Sequence, residues 1–472
     1  MLIAREKEKQ ILLDSLKKDE SQFLAVYGRR RVGKTYLIRE TFRNGFTFQH
    51  AGYATGKRDQ QLEAFRNSLR EYGYTDCKTP RNWMEAFELL KDVIRRSAAE
   101  KKIIFLDELS WMDTPRSDFM VALEGFWNGW ASARRDVVLI VCASATSWMI
   151  NKIIRNRGGL YNRLTGRIHL MPFTLGQCEE YLDANGMALP RVQILDAYMI
   201  LGGVPYYWSL LKQGLSLSQN IDRMFFADGA PLQEEFDYLF SSLFKKPKIY
   251  IRIVEALASK KSGLTREELL KALRRKADSG LSEKLTDLEN CGFIRSYREY
   301  GNKKKGTVYQ LIDGFVLFYY RFLTEKITDE HFWTNQINTP ARNTWSGLAF
   351  ERVCLLHVTQ MKKKLGIEGV LTEVYSWRCS RDEEKGIRGS RVDLLIVRQD
   401  RVINLCEMKY SADEYTLTAA DERDLRRKVN DFQLATQSRY AIYVTLCTTY
   451  GLEPSMYSGS VHSVITCDDL FT

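Results

Sequence analysis

The 472-residue sequence lacks the long apolar segments that secretion or membrane insertion requires. No uninterrupted apolar run approaches the roughly 20 residues of a membrane span. Charged residues from Arg5 onward interrupt the apolar core that a signal peptide needs. We therefore expect a soluble, cytoplasmic protein with no membrane partner.

Residues that build disulfide frameworks and metal centres are also scarce. The nine cysteines are an odd number without any Cys-x-x-Cys pair, and the chain has only five histidines. Scattered cysteines of this kind are typical of reduced thiols. The sequence thus argues against a disulfide framework, a zinc site and a histidine-based metal centre.

The chain does have length and positive charge. At about 100 to 200 residues per domain, its length predicts three or four domains, and a hydrophobic content of 44% is enough to give each a core. The net charge of +11 favours an anionic partner. Charge alone does not choose between a nucleic acid, an acidic protein and a membrane surface.

The most specific stretch joins an apolar, strand-like segment, residues 23–27, to a helix-like segment through a glycine-basic loop. The glycines allow backbone N–H groups to turn toward phosphates, and the following helix adds positive potential. Lys34 is expected to reach the β- and γ-phosphates, and the Thr35 hydroxyl to bind Mg²⁺. The loop fits GxxxxGK[ST] at every constrained position and consists of Gly28, Arg29, Arg30, Arg31, Val32, Gly33, Lys34 and Thr35.

A second motif supports the phosphate-binding loop. Residues 101–108 form an apolar strand that ends in two carboxylates, Asp107 and Glu108. A buried parallel strand would place Asp107 beside the loop to hold Mg²⁺ through water. Glu108 would then polarise the attacking water as the catalytic carboxylate. The pair of motifs predicts a nucleoside triphosphatase that uses Mg²⁺.

Further polar residues follow a third predicted strand, residues 137–142. Ser144 is placed to sense the γ-phosphate, although small hydroxylic residues also end strands for structural reasons. Arg163 and Arg167 are candidates for a finger that neutralises transition-state charge, in cis or from a neighbouring subunit of a homo-oligomer. Surface arginines are frequent, so an ordinary surface role stays open for each.

Four elements together resemble the archaeal-type AAA ATPases of the STAND group of P-loop proteins. They are the Arg5-Glu6 element, the loop GRRRVGKT, the strand end FLDE and the turn GGVP. The resemblance implies that Arg5, Gly203 and Pro205 contact the adenine side of ATP or ADP. GTP stays open as an alternative nucleotide. Ala4 departs from the glycine that the family usually has there. By themselves, Gly203 and Pro205 would indicate a helix stop and a turn.

Residues 247–322 have a pattern of three helices followed by a hairpin. This order predicts a winged helix-turn-helix with DNA as its partner. Three lysines at the wing tip, Lys303, Lys304 and Lys305, suit contacts with DNA phosphates. Winged helices attached to ATPases also serve as lids or protein-docking modules, and this alternative stays open.

The C-terminal region contains two predicted strands, residues 390–397 and 402–409, that form a hairpin. The hairpin places Asp393 and Glu407 on neighbouring strands, with Lys409 on the same face as Glu407. With Glu351 on a helix expected to begin near residue 346, this pattern resembles the PD-(D/E)xK nucleases. The resemblance implies that Glu351, Asp393 and Glu407 hold Mg²⁺ and that Lys409 orients the attacking water.

We therefore predict an α/β protein with a P-loop NTPase parallel sheet, a helical lid, a winged helix and a restriction-endonuclease-like α/β domain. The first functional hypothesis is an ATP-driven switch that controls a DNA-cleaving domain. The second is a nucleotide-dependent regulatory or scaffold protein whose C-terminal domain binds without cutting. The predicted boundaries are 1–175 for the ATPase core, 176–240 for the lid, 241–322 for the winged helix, 323–345 for a linker and 346–472 for the nuclease-like domain.

Overall fold

The computed structural model describes residues 2–43, 45–155, 158–274, 280–301, 306–325 and 327–472. The chain forms two compact units, Met1–Pro172 with Asp237–Pro247, and Phe173–Phe236 with Lys248–Thr472. None of the helices in the described ranges has the length and apolar character of a membrane-spanning segment. All nine cysteines are free thiols. The predicted wing-tip residues Lys303, Lys304 and Lys305 lie outside the described residues.

A parallel sheet forms the centre of the first unit. Its strands run in the order β2-β3-β4-β1-β5, and each pair of neighbours is parallel. Every residue of β4 is buried, as expected for an apolar strand covered on both faces. The predicted parallel sheet is thus confirmed. The strands are β1 (Gln22–Tyr27), β2 (Phe46–Ala51), β3 (Lys102–Asp107), β4 (Val137–Ala143) and β5 (Gly166–His169).

Helices cover both faces of this sheet. Because side chains alternate along a strand, Phe23 and Ala25 of β1 join one apolar core, whereas Leu24 and Val26 join the other. The first core is completed by α3, α4 and α6, and the second by α1 and α2. The helices are α1 (Glu6–Leu16), α2 (Lys34–Phe42), α3 (Arg58–Glu71), α4 (Trp83–Arg96), α5 (Leu109–Met112), α6 (Phe119–Gly129) and α7 (Thr146–Met149).

The strand order brings three loops to one edge of the sheet. Strands β3, β4 and β1 are adjacent and parallel, so the segments that follow them begin side by side. These segments contain Glu108, Ser144 and Gly28. Ligands of open α/β sheets bind at this carboxyl edge.

Beyond Pro172 the chain is largely helical before its last sheet. A capping box begins one of these helices, because Glu268 N–H donates to Thr265 Oγ1 at 3.2 Å and Thr265 N–H donates to Glu268 Oε2 at 2.7 Å. The helices are α8 (Leu175–Ala184), α9 (Arg191–Leu201), α10 (Pro205–Trp208), α11 (Leu217–Phe225), α12 (Glu235–Leu243), α13 (Pro247–Ala258), α14 (Arg266–Ala272), α15 (Gly280–Asn290), α16 (Gly314–Phe318), α17 (Phe332–Asn335), α18 (Pro340–Leu356), α19 (Val358–Lys364) and α20 (Ala419–Thr436).

The predicted order of three helices and a hairpin is present in the second unit. Helices α13, α14 and α15 precede β7 (Ile294–Tyr297) and β8 (Val308–Leu311). These two strands pair antiparallel, and the short β6 (Leu264–Thr265) pairs with β8 on its other side. We call residues 248–312 the hairpin segment.

The segment before the C-terminal sheet is more helical than its sequence pattern predicted. Asp222 accepts hydrogen bonds from the backbone N–H groups of Trp333 and Thr334, at 2.7 and 3.1 Å, which fixes α17. Helix α18 begins at Pro340 and not near residue 346. The reason is local, because the Thr339 side chain caps the helix and proline is favoured in the first turn.

A mixed five-stranded sheet ends the second unit. Its order is β13-β12-β11-β10-β9, where β10 is antiparallel to its neighbours β9 and β11, and β11, β12 and β13 are parallel. Helix α18 precedes this sheet and α20 connects β11 to β12. The strands are β9 (Thr372–Cys379), β10 (Ser390–Arg398), β11 (Val402–Lys409), β12 (Ala441–Thr448) and β13 (Ser463–Ile465).

Candidate functional site

The loop after β1 has the backbone shape of an anion-binding loop. Gly28, Arg31 and Gly33 have positive φ angles of 149°, 70° and 92°. A Cβ atom at Gly28 would lie 2.3 Å from the carbonyl oxygen of Leu170, so a side chain does not fit there. Gly33 is the N-cap of α2 and offers no capping side chain, which leaves the first N–H groups of the helix available to a phosphate. Among the other loop residues, Arg29 and Val32 are buried, and Arg30 and Arg31 are half-buried.

The Lys34 ammonium lies inside this loop. It donates to the carbonyl oxygens of Gly28 and Arg29, both at 2.9 Å, and to Ser144 Oγ at 3.0 Å. The residue is 5% exposed. A buried ammonium with three oxygen acceptors is held as a fixed positive charge at the site expected for the phosphates.

Thr35 and Asp107 meet at the carboxyl edge of the sheet. The Thr35 hydroxyl donates to Asp107 Oδ2 at 2.7 Å. A hydroxyl and a carboxylate are oxygen donors of the kind that Mg²⁺ takes beside phosphate oxygens and water. The two residues therefore fit the predicted cation site.

Glu108 is turned toward the next strand. Its φ angle of +46° is a left-handed conformation that is unusual for glutamate. Its carboxylate accepts the Ser144 N–H at 3.0 Å and the Ser144 hydroxyl. Because the same hydroxyl oxygen accepts a hydrogen bond from Lys34, Ser144 connects the two groups.

The sequence placed Ser144 near the γ-phosphate but did not reveal its bond to Glu108. Ser144 and Glu108 each lie just after one of two adjacent parallel strands, β4 and β3, so a sequence-based model that knew the order of these strands could have predicted their contact. The nucleotide-contact role of Ser144 stays a prediction.

Arg5 is buried at the entrance to α1. Its guanidinium donates to the carbonyl oxygen of Met171 at 2.7 Å and lies 3.6 Å from Glu8. Ala4, which stands where the family usually has glycine, is 4% exposed and has a φ angle of +56°. Ala4 thus has the left-handed conformation that glycine favours.

Ala4→Gly is expected to raise the free energy of unfolding by up to about 1 kcal/mol, because a left-handed conformation costs alanine roughly that amount. The greater entropy of glycine in the unfolded chain offsets part of the gain. Urea denaturation of the full chain measures the effect. Ala86→Gly in α4 is the control and should destabilise by about 1 kcal/mol, since Ala86 is in a right-handed helix. Equal destabilisation by both variants would contradict the strain at Ala4.

The two candidate finger arginines lie near β5. Arg163 is exposed in the turn before the strand, and Arg167 is exposed on the strand itself. Arg167 pairs in register with Ala25 of β1. Burial raises the pKa of nearby Tyr27, although the charge of Arg167 opposes that shift. The finger role of both arginines stays a prediction.

Gly203 and Pro205 belong to the second unit. The Phe173 N–H donates to the Gly203 carbonyl oxygen at 2.6 Å, and a Cβ atom at Gly203 would lie 1.8 Å from the Phe173 carbonyl oxygen. Glycine is therefore required for this close backbone contact. Pro205 occupies the first turn of α10. Their contact with a nucleotide stays a prediction.

The predicted C-terminal carboxylates lie on adjacent strands. The last paired residues of β10 and β11 are Leu394 and Cys406, and Asp393 and Glu407 each lie one residue beyond this pair. The pairing of β10 with β9 shifts by one residue between Val392 and Leu395. Such a bulge redirects a side chain and is frequent beside active sites.

Each of these groups has charged neighbours. Arg391 forms an ion pair with Asp393, and Lys409 lies 3.8 Å from both Glu407 and Asp421. On α20, the Lys428 ammonium donates to Glu407 Oε2 at 2.7 Å. Burial lowers the pKa of Lys428, but the nearby carboxylates outweigh it and leave the pKa above its ordinary value.

Glu351 of α18 lies against the hairpin segment. One carboxylate oxygen pairs with Arg352, and the other is 3.3 Å from Lys261 Nζ. The Glu351 side chain is 6% exposed.

Arg295 on β7 is affected by the same charges. Burial and the nearby Arg352 lower the pKa of Arg295 to about 10. The charges of Tyr297, Glu351 and Asp393 oppose this shift.

These C-terminal carboxylates do not fit a metal centre in this conformation. In the part of the chain that the structure describes, no group of three or more His, Cys, Asp or Glu side chains is arranged to hold a metal ion. Glu351, Asp393 and Glu407 are directed to basic side chains instead. Their roles as Mg²⁺ ligands stay predictions.

Comparisons with known proteins identify the first part of the chain. Residues 2–211 match a family described as an ATPase domain predominantly from Archaea. An uncharacterized protein of Methanocaldococcus jannaschii is 24% identical over 437 residues, which cover 91% of this chain and 92% of that protein.

Two solved structures are similar to part of this chain. The Walker-type ATPase of Pyrococcus abyssi has a TM-score of 0.50 at 17% identity, over 68% of this chain and 96% of its own. The ORC2 protein of Aeropyrum pernix has a TM-score of 0.42 at 14% identity, over 76% and 96% of the two chains. The first likeness shows a shared fold. Residues 2–211 thus match an ATPase domain family, and the protein is an ATPase.

Proposed function

We propose that the protein is an ATP-driven switch whose nucleotide state controls a DNA-binding, Mg²⁺-dependent, nuclease-like C-terminal domain. The observation that supports this proposal is that Asp393 and Glu407 lie one residue beyond the last pair of two adjacent strands, next to a bulge, with Lys409 3.8 Å from Glu407. The order of α18, three antiparallel strands, α20 and a parallel strand agrees with the PD-(D/E)xK resemblance.

The ATPase side of the proposal assigns a task to each residue of the first unit. Lys34 binds the β- and γ-phosphates, and Thr35 and Asp107 hold Mg²⁺. The Glu108 carboxylate first releases its hydrogen bonds to Ser144 and then accepts a proton from the attacking water. Mg²⁺, when bound, would neutralise charge on the phosphates. We propose ATP over GTP because the family resemblance favours adenine.

DNA is the proposed macromolecular partner. The net charge of +11 favours an anionic ligand. On α15, Lys284 donates to the Gly280 carbonyl oxygen at 2.9 Å, and Ser282 accepts a hydrogen bond from Arg266 at 3.1 Å. On binding DNA, Lys284 and Ser282 would therefore replace these hydrogen-bond partners within the chain by DNA phosphates. A homo-oligomer is proposed only if Arg163 or Arg167 acts on a neighbouring subunit.

The second candidate is a nucleotide-dependent regulatory or scaffold protein that binds without cutting. The observation that favours it is the engagement of Glu351, Asp393 and Glu407 by basic side chains. Carboxylates that are paired with basic side chains in this way can have a purely structural role. Cleavage activity separates the two candidates.

Lys409→Ala is expected to lower Mg²⁺-dependent DNA cleavage by about 100-fold, because a positioned group that assists the attacking water contributes on that order. ATP turnover should stay within about twofold of the unmodified protein, since Lys409 lies in the other unit. Single-stranded, duplex and branched DNA are incubated with the full chain, ATP and Mg²⁺.

Lys363→Ala on α19 is the matched control for this experiment and should retain both activities. A protein with active ATPase and no cleavage of any of the three DNA forms would support the scaffold candidate. Cleavage that persists in Lys409→Ala would contradict the assigned site.

A further inference from the structure

The segment that follows β4 carries positive charge without any acidic residue. Residues 144–178 contain five lysines and arginines and no aspartate or glutamate. With 59 acidic residues in the 472-residue chain, a stretch of 35 residues would have about four on average. Four of the five basic residues lie in the described part of the chain, and all four are exposed: Lys152, Arg155, Arg163 and Arg167. This part of the first unit therefore presents a surplus of positive charge to the solvent.

In the described ranges of the chain, three arginines of this segment have no carboxylate as an ion-pair partner: Arg155, Arg163 and Arg167. Other exposed arginines of the same unit do have such partners, since Arg58 and Arg81 each pair with an acid at 3.0 Å. A guanidinium that is exposed and not paired with an acid is available to an anion from outside the chain.

Two of these arginines lie together beside β5, the strand at one end of the sheet. Arg167 of β5 is in register with Ala25, and His169 with Tyr27, whose ring stacks on the imidazole at 4.6 Å. Burial raises the pKa of the Tyr27 phenol, and the charges of Arg167 and Arg155 oppose this shift. Because the effect of a charge falls with distance, both guanidinium groups lie close to this one phenol.

The chemistry of the segment suits phosphates. Charge on an edge strand also prevents pairing with another chain, but this accounts only for Arg167, because Arg155 and Arg163 lie outside the strand. Guanidinium groups bind phosphate oxygens through two parallel hydrogen bonds. Tyr161, two residues before Arg163, is 63% exposed, and tyrosine hydroxyls also bond to phosphates of nucleic acids.

We propose that Arg155, Arg163 and Arg167 form a DNA-binding surface on the ATPase unit, which we call the β5 surface, and that it contacts phosphates of the DNA backbone. This inference rests on the proposed function, which has DNA as the macromolecular partner, but not on the C-terminal carboxylates. Phosphate contacts position a protein on DNA without reading its sequence. Binding through the β5 surface is therefore independent of sequence and sensitive to salt.

The test is the salt dependence of DNA binding by the nucleotide-free full chain, measured by fluorescence anisotropy with a labelled duplex of mixed sequence. Arg155→Gln combined with Arg167→Gln removes two phosphate contacts. The slope of log K against log salt concentration should become shallower by about two, and the affinity should fall on the order of tenfold. Arg58→Gln combined with Arg81→Gln is the matched control. It removes the same net charge from exposed positions of the same unit and should keep the slope.

Two results would overturn the inference, and they differ in what else they overturn. If DNA binds and the Arg155/Arg167 double variant has the slope of the control, only the β5 surface is refuted. A loss of ATP turnover in that same variant would then assign the arginines to the nucleotide. If the unmodified protein binds no DNA even at low salt, the proposed DNA partner falls together with the β5 surface.

Discussion

Lys34→Ala is expected to lower ATP turnover by about a thousandfold, because preorganised positive charge at a transferring phosphoryl group strongly stabilises the transition state. Lys34 is already held in the loop by Gly28, Arg29 and Ser144, so binding ATP exchanges these oxygen acceptors for phosphate oxygens. Phosphate release from the purified full chain measures the loss, and a fluorescent ATP analogue measures binding separately.

The same variant also removes hydrogen bonds within the loop itself. Removal of the ammonium leaves the two carbonyl oxygens and the hydroxyl without their donor, at a cost of about 1–3 kcal/mol. Lys34→Arg keeps the charge and should recover binding more than turnover. Lys9→Ala, an exposed lysine of α1, serves as the control for loss of charge alone. Turnover in folded Lys34→Ala within a few-fold of the unmodified protein would refute the phosphate-binding role.

Much of the first unit could be predicted because its signals are local. Residues 103–106 and 137–142 are buried apolar runs, and such runs rarely have another explanation in a chain with a phosphate-binding loop. Strand β2 was not found, because its six residues, FTFQHA, mix apolar and polar side chains. The order of the strands in the sheet could not be predicted from the sequence either, because it depends on packing between segments that are distant in the chain.

The C-terminal region shows the same limit. The alternation in β10 and β11 predicted that Asp393 and Glu407 are neighbours, because a hairpin fixes its own register. The partners that neutralise the carboxylates come from elsewhere in the chain. Lys261 belongs to the hairpin segment and Lys428 to α20, so tertiary packing alone brings them to Glu351 and Glu407. A motif predicts which residues can do chemistry, but not what holds them in a given state.

Glu108→Gln is expected to lower ATP turnover by about a thousandfold while nucleotide binding stays within about threefold of the unmodified protein. A positioned general base contributes about 10² to 10⁴ in rate, and an amide cannot accept the proton from water. The phosphate contacts assigned to Lys34 and Thr35 do not involve Glu108, so affinity is spared. Single-turnover hydrolysis separates the chemical step from product release.

Ser144→Ala tests the link between Glu108 and the loop. The hydroxyl that joins Glu108 and Lys34 is lost, but the Ser144 N–H still reaches Glu108. A hydrogen bond to a charged group is worth about 1.5–3 kcal/mol, so turnover should fall by about 10- to 100-fold, less than in Glu108→Gln. Ser132→Ala, which removes an exposed hydroxyl of the same unit, is the control and should have little effect on turnover. If Ser144→Ala abolishes turnover as completely as Glu108→Gln does, Ser144 acts on the phosphate itself, and positioning Glu108 is not its main task.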